Sequence, residues 1–502
     1  MNSLWIDSVK DLNKFSKLSD NIEADICIVG AGILGVTCAY YLTNLGYNIV
    51  ILEKNKVGQN TTGHTTAKIT SQHDLFYNYL INSYGKAFAK DYLTANEEAI
   101  NNIKSIIDKE NISCDFEFQN SYVYTTNKPD VINIKNEVNA VNSLGFNCEF
   151  VTKVGLPFEI QGAICFKNQA QFNPMKYLYG LCKCIVSKNG KIYTDTTVTD
   201  LKKDDDNNYI VFTNANTVKA KYVIIASHYP FINFPGFYFS KLYQSTSYVI
   251  AVDPKKTLFN GMYISFDNPT FSYRTASYNG KRILLMSGPS HKTGKPDSSQ
   301  NYYQLLEDEA RKFYPNCEVL YNWSTEDCES LDRIPYIGPY STFLPNVFVG
   351  TAFKKWGMTS SNVAANIIVD MICNKQNKYQ YLFDSTRLKP IKNRTQFKNF
   401  AIDSSKSLVF NKFKDSEIAI DNITINSGGI IDVNNTKVGI YKNSNGNIYA
   451  VKPICTHLGC LLSWNDLDKT WDCPCHGSKF DYKGKNIYGP AIKDLEVYDL
   501  GN

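Results

Sequence analysis

The stretch "ADICIVGAGILGVTCAYYLTNLGYNIVILEK", residues 24–54, decides the fold. Its uninterrupted apolar run from Ile26 to Val29 has the pattern of a strand buried on both faces, as parallel sheets require. Gly30, Gly32 and Gly35 then set a G-x-G-x-x-G turn that opens a helix. The first glycine permits the tight turn, the second a close approach of backbone to a pyrophosphate, and the third close packing of helix on strand. Free N–H groups and the positive end of the helix dipole face the phosphates. A second apolar strand, Ile49 to Leu52, ends in Glu53, placed to accept hydrogen bonds from a ribose, and Lys54 follows it. Strand, turn, helix, strand and acid in that order predict a Rossmann-like α/β dinucleotide-binding domain.

Outward from this motif, 502 residues exceed what one core supports, so two or three domains are expected. The formal net charge of +5 is scattered along the chain and forms no basic stripe, so nucleic acid is not an expected partner. The first residues, "MNSLWIDSVKDLNKF", carry acids and no apolar export region, and no window approaches the length of a membrane span. A cytoplasmic location is the expectation. Ten of the 14 cysteines are dispersed without a framework, which suits a reducing compartment, and the other four crowd the C-terminal end.

Further along, "VGQNTTGHTTAKIT", residues 57–70, offers Thr61, Thr62 and Gly63 as a helix cap able to donate to phosphate oxygens. "TTVTDLK", containing Val198, precedes "KAKYVIIASHYPF". "DRIPYIG" spans 332–338, and "NVFVGTAFKKWGMTSSNVAANIIVDMI" spans 346–372. In order, these segments resemble the FAD enzymes of the D-amino-acid oxidase and glycine oxidase superfamily over roughly residues 20–375. The resemblance implies FAD as cofactor, with contacts from Gly30, Gly32, Gly35, Glu53, Lys54, Thr61, Thr62, Gly63, Val198, Gly350, Gly357, Met358 and Thr359. The helix that begins near Thr359 would point its N-terminus at the flavin. His64 does not match a covalent attachment motif, so non-covalent FAD is expected. No second G-x-G-x-x-G unit is found, which weighs against a pyridine-nucleotide reductase. The alternating stretches "YQSTSYVIAVD" and "MYISFDNPTFSYRTASYNGKRILLMSG" read as antiparallel strands roofing the flavin. Arg274, at a polar position of one strand, is a candidate for holding a substrate carboxylate. The resemblance implies an amine or amino-acid substrate and nominates no catalytic side chain, because the flavin itself accepts the hydride.

Residues 376–414 are basic and weakly periodic and read as a linker that lies across the first domain. Beyond them short strands and turns dominate, with a hairpin signal at Asn445-Gly446. "CTHLGC", residues 455–460, and "CPCHGS", residues 473–478, bring four cysteines and two histidines together. Such a set could hold zinc. The spacing resembles the double loop of Rieske 2Fe-2S proteins. That resemblance implies Cys455 and Cys473 on one iron, His457 and His476 on the other, and a disulfide between Cys460 and Cys475. It also matches Ser478 to a hydroxyl that bonds a bridging sulfide, and "GPA" at 489–491 to a loop covering the cluster. Phe480 stands where high-potential relatives carry a tyrosine whose hydroxyl bonds a cysteine sulfur, so a lower potential is expected.

The expected architecture is a glutathione-reductase-type FAD-binding domain (about 22–75, 160–235 and 325–375) with an interleaved α+β substrate domain (about 76–160 and 236–325). An all-β Rieske domain follows at 415–502. The expected function is oxidation of an amine or amino acid, with electrons passing from flavin to cluster and a protein electron acceptor or donor as a further partner. The alternative is a redox sensor or electron-transfer protein whose Rieske module docks onto a partner.

Overall fold

A sheet with its central strands buried on both faces needs apolar residues at every position, and Ile26, Cys27 and Ile28 are fully buried. In the structure, a computed structural model that describes residues 3–12, 14–297, 299–387 and 423–500, the strand Ile22–Val29 runs parallel between Ile49–Leu52 and Thr217–Ile225. Val347–Thr351 and Lys191–Tyr193 extend the sheet in parallel, Tyr336–Pro339 closes one edge antiparallel, and the Val198–Lys203 and Tyr209–Thr213 hairpin branches from it. Helices Ile33–Asn44 and Gly357–Ile372 pack together against this sheet. The tightness of the turn explains two glycines. Gly30 has φ +109°, and a Cβ on Gly35 would fall 2.0 Å from the Gly30 carbonyl oxygen.

A second sheet of nine strands forms the other layer, in the order Glu318–Ser330, Leu242–Asp253, Lys281–Lys292, Ser272–Tyr278, Met262–Ser265, Glu117–Thr125, Gly162–Gln171, Lys68–Ile69, with Glu149–Val151 paired beside Gly162–Gln171. Three of its strands depart from the expected segment boundaries. Lys68–Ile69 and Gly162–Gln171, expected with the FAD-binding segments, belong to this roof, and Glu318–Ser330 crosses the boundary expected near 325. Length explains the shift, because a 13-residue strand pairs along the whole of Leu242–Asp253 and brings Cys328, near its C-terminal end, into the core of the first sheet beside Thr351.

After the helix Gly357–Ile372 the chain does lie across the first domain as far as it is described: Asp384 bridges Ile337, and Arg387 holds both carboxylate oxygens of Asp332 at 2.7 and 2.8 Å. The rest of the expected linker, and the first residues of the next domain, lie outside the described residues. The C-terminal domain has a three-stranded sheet (Ser427–Val433, Thr436–Lys442, Ile448–Val451) and a four-stranded one (Ser463–Asn465, Thr470–Asp472, Lys479–Asp481, Asn486–Tyr488). The Asn445-Gly446 turn joins two strands of the first, with Gly446 at φ +81°. Among the described residues no helix is long and apolar enough to cross a membrane.

A buried ionic cluster locks this last domain onto the roof sheet. Lys479 Nζ lies 2.9 Å from Glu326 of the roof, 2.9 Å from Asp468 and 3.7 Å from Asp472, with all four side chains at most 5% exposed. Thr246 and Thr293 donate to Glu326, Ser324 and Tyr303 to Asp468, and Asn465 and Thr470 to Asp472. Removing the ammonium would strand three buried carboxylates. Lys479→Met is therefore expected to cost about 3–5 kcal/mol, read as a lower urea midpoint by tryptophan fluorescence, and an unchanged midpoint would contradict this role.

Candidate functional site

One cavity of about 610 Å³ opens between the two sheets at the glycine turn. It is lined by Gly30, Gly32, Glu53, Lys54, Thr61, Thr62, Val198, Gly350, Gly357 and Met358, so most of the residues expected to contact FAD converge on it. Gly35, Gly63 and Thr359 sit just behind. Gly35 packs on Gly30, Gly63 on the Gly58 carbonyl, and the Thr359 hydroxyl donates to Thr70 O. Glu53 accepts from the N–H groups of Ala31 at 2.8 Å and Asn55 at 2.9 Å; burial holds its carboxyl above the usual carboxylate range, and these two bonds oppose that only in part. Thr62 accepts from the Ile33 N–H, while Thr61 donates to Glu326 O. His64 turns its ring to the Asn60 carbonyl.

Two observations fit this cavity to FAD. A Cβ on Gly32 would meet only the Thr62 hydroxyl, at 3.3 Å, so the glycine keeps space open on the cavity side rather than relieving an internal clash. Among the described residues, four buried polar atoms of its lining have no partner: His228 Nε2, Thr325 Oγ1, Trp356 Nε1 and Ser361 Oγ. Buried polar groups are nearly always satisfied, so this set awaits a polar ligand. Gly357 and Met358 bring the N-terminus of a 16-residue helix to the same space.

Arg274 does not reach the cavity. It lies on the same strand face as Ser272, but two residues further on, past the cavity's end. There its guanidinium donates to the carbonyls of Thr66, Ala67, Phe172 and Thr275 and stacks on Trp5. This corrects the substrate role expected for it. Arg274 instead clamps the turn at Ala67, where φ is +57°.

The C-terminal loops bring the second set together. The buried thiols of Cys455 and Cys473 are neighbours that influence each other's titration, and the rings of His457 and His476 stand 5.0 Å apart at 88°. Nδ1 of each ring is buried and has no partner among the described residues. Burial pushes the imidazoles down to about 4 and about 3, which keeps them neutral and able to ligate at neutral pH. Two neighbouring buried thiols and, on the adjacent loops' paired rings, two orphaned nitrogens fit a 2Fe-2S cluster. Cys460 and Cys475 are bonded to each other, so the nearby trio they make with Cys473 offers no separate metal site. Ser478 accepts from Ala491 N–H at 3.0 Å, and Phe480 is fully buried among the four cysteines.

The two sites share walls. Ile487, Gly489, Pro490, Ala491 and Ile492 of the C-terminal domain line the first cavity. Lys54 reaches across to Asn486, and Gln244 Nε2 donates to the carbonyls of both His476 and Gly489, at 2.8 and 2.9 Å. The histidine edge also faces the first domain: His457 Nε2 lies 2.7 Å from Asn233 Oδ1, and Phe239 stands against His476.

Comparison with known proteins agrees with this geometry. Residues 25–371 match the FAD dependent oxidoreductase (DAO) family and residues 418–499 the Rieske 2Fe-2S domain. The chain belongs to the FAD dependent oxidoreductase family. A Bacillus subtilis (strain 168) protein, YhfW, named as a Rieske 2Fe-2S iron-sulfur protein, is 38% identical over 98% of this chain and 96% of its own. Escherichia coli (strain K12) gamma-glutamylputrescine oxidoreductase is 21% identical, covering 74% of this chain and 88% of its own. The crystal structure of Geobacillus kaustophilus glycine oxidase superposes with a TM-score of 0.62 at 16% identity, covering 73% of this chain and all of that one, a likeness of fold. The protein is thus an FAD-dependent oxidoreductase with a C-terminal Rieske domain, and its cofactors are FAD and a Rieske 2Fe-2S cluster.

Sequence reasoning missed the charged residues of the cavity lining. Lys68, Asp74, Asp327, Lys354 and Lys355 all line it, with Lys355 paired to Asp327 at 2.8 Å and Lys354 to Asp74 at 3.5 Å. Charges scattered singly or in pairs, as in "AFKKWG" and "STEDCES", carry no signal that separates them from surface residues.

Gly32→Val in this oxidoreductase is expected to yield folded protein that lacks flavin and retains the cluster, measured by absorbance and iron content. Replacing His457 or His476 with alanine should erase the low-field Rieske EPR signal. Either signal surviving intact would remove its residue from the ligand set.

Proposed function

We propose that this oxidoreductase oxidises a small amine or amino acid at a C–N bond and passes the electrons within the same chain to its Rieske cluster. One observation carries the second half of that reading. The loop Ile487 to Ile492 walls the FAD cavity on one side, and on the other its Ala491 N–H bonds Ser478 of the cluster-binding loop. When bound, FAD supplies a hydride acceptor that can release electrons singly, and the cluster supplies a one-electron acceptor.

The chain's own residues serve this in three ways. Val123 and Ile264 of the roof give the cavity apolar walls that exclude water beside the polar lining. Asp327, buried, and its ion-pair partner Lys355, whose side chain reaches solvent, hold opposite charges within the cavity lining, where a substrate ammonium or carboxylate can be oriented. Gln244 holds the His476 loop and the Gly489 loop in one fixed relation through its amide. The amine or amino-acid class is supported by relatives of this family, among them gamma-glutamylputrescine oxidoreductase and, by fold, glycine oxidase. Coverage of His476 by Phe239 and Gln244, leaving the residue 4% exposed, favours transfer within the chain over a docking module that offers its histidines to a partner.

Anaerobic addition of amines and amino acids in turn should bleach the flavin absorbance for at least one of them, and the Rieske EPR signal should grow in the same sample. Bleaching with a silent cluster at every substrate level would rule out the transfer. Phe480→Tyr, which adds a hydroxyl among the cluster cysteines, is expected to raise the cluster's reduction potential in an EPR redox titration, and an unshifted potential would show that the hydroxyl does not reach a sulfur.

A further inference from the structure

The roof of the FAD cavity carries a buried cation that the reading above leaves unused. Lys68 is 7% exposed and lies on the two-residue edge strand of the roof sheet. Its ammonium donates to Tyr263 O at 2.8 Å and Ser272 Oγ at 2.6 Å, both uncharged, and among the described residues it makes no ion pair. An ammonium carries three donors, so a third N–H remains for the cavity that Lys68 lines. The other lysines of that lining are differently placed. Lys354 and Lys355 face carboxylates, and Lys54 is spent on Asn486. Arg333 is only half-buried and stacks on Phe76 and Tyr79.

A buried charge without a counter-charge in contact is costly, and proteins rarely keep one without a use. Burial pushes the Lys68 ammonium well below its usual range and the neighbouring Arg274 adds to the effect, while the more distant Asp74, itself paired with Lys354, opposes it. An anion entering the cavity would relieve both. The position is also built rather than accidental. Arg274 clamps the carbonyls of Thr66 and Ala67, the residues leading into Lys68, and so fixes the strand from which the lysine projects. Around it the lining is hydroxyl and aliphatic, with Ser265, Ser272, Val123 and Ile264, a surrounding that strengthens a single ion pair.

We propose that Lys68 is the anion anchor of the substrate pocket, binding the carboxylate of an amino acid or other carboxylate-bearing amine. The inference rests on the substrate class proposed above and narrows it: among amines, those bearing a carboxylate are preferred.

The test uses the FAD-loaded full chain. Acetate, propionate and benzoate are titrated against their uncharged amides, and binding is read from the perturbation of the flavin absorbance spectrum. Carboxylates should bind and amides should not. Lys68→Met should weaken carboxylate binding by roughly thirtyfold or more, Lys68→Arg should restore part of it, and flavin content should stay the same in both. Should Lys68→Met fail to accumulate, Lys68→Gln and Lys68→Arg provide the same contrast. Equal binding with and without the charge overturns the proposal, as does a wild-type protein that perturbs with no carboxylate. Loss of flavin from Lys68→Met but not from Lys68→Arg overturns it too, because the cation would then hold the cofactor. Flavin bleaching by amines in a protein indifferent to carboxylates would sink the anchor and leave the oxidase reading standing.

Discussion

The arrangement depends on one ammonium. Lys479 sits three residues beyond His476 and is buried among Glu326, Asp468 and Asp472, two from its own domain and one from the roof sheet. Neither side of that cluster is tolerable alone, because the roof would bury an unpaired glutamate and the Rieske domain a lysine facing two aspartates. Docking is the state that satisfies both. Once it is made, the Gly489 loop has no other place than against the FAD cavity, and Gln244 and Lys54 complete the seam. A Rieske module tethered by a linker is thereby held as a fixed wall of the flavin site.

On the other side of the seam the constraint is steric. The Gly30 to Gly35 turn packs so closely that no side chain fits at its first and last glycines, whereas the middle one meets only a hydroxyl. Folding therefore explains Gly30 and Gly35, and ligand binding explains Gly32. The same division holds in the C-terminal loops, where the disulfide joins the two loops and the orphaned histidine nitrogens are left for metal.

The parts legible in the sequence are those encoded by local spacing. The glycine turn with its flanking strands, the acid at Glu53, the Asn445-Gly446 hairpin and the paired Cys-x-His and Cys-x-x-His loops each fit within a few dozen residues, and each is found where its spacing placed it. What was hidden depends on register between distant strands. Arg274 and Ser272 share a face of one strand, but only the pairing of that strand with Lys281–Lys292, and the position of the Lys68 edge strand, decide which of them reaches the cavity. Lys68 was hidden for the same reason, since its partners at Tyr263 and Ser272 are about two hundred residues away. Likewise the "GPA" loop was legible as a cluster cover, yet its second face, towards the flavin, exists only in the docked domain.

The central claim is that flavin site and cluster exchange electrons inside one chain across the Ile487 to Ile492 loop. Rapid anaerobic reduction of the flavin, followed by freeze-quench EPR of the cluster at several protein concentrations, tests it most directly. The account predicts a cluster signal that grows at a rate independent of protein concentration. A rate that rises in proportion to concentration would mean that electrons pass between molecules, and the docked loop would not be their route.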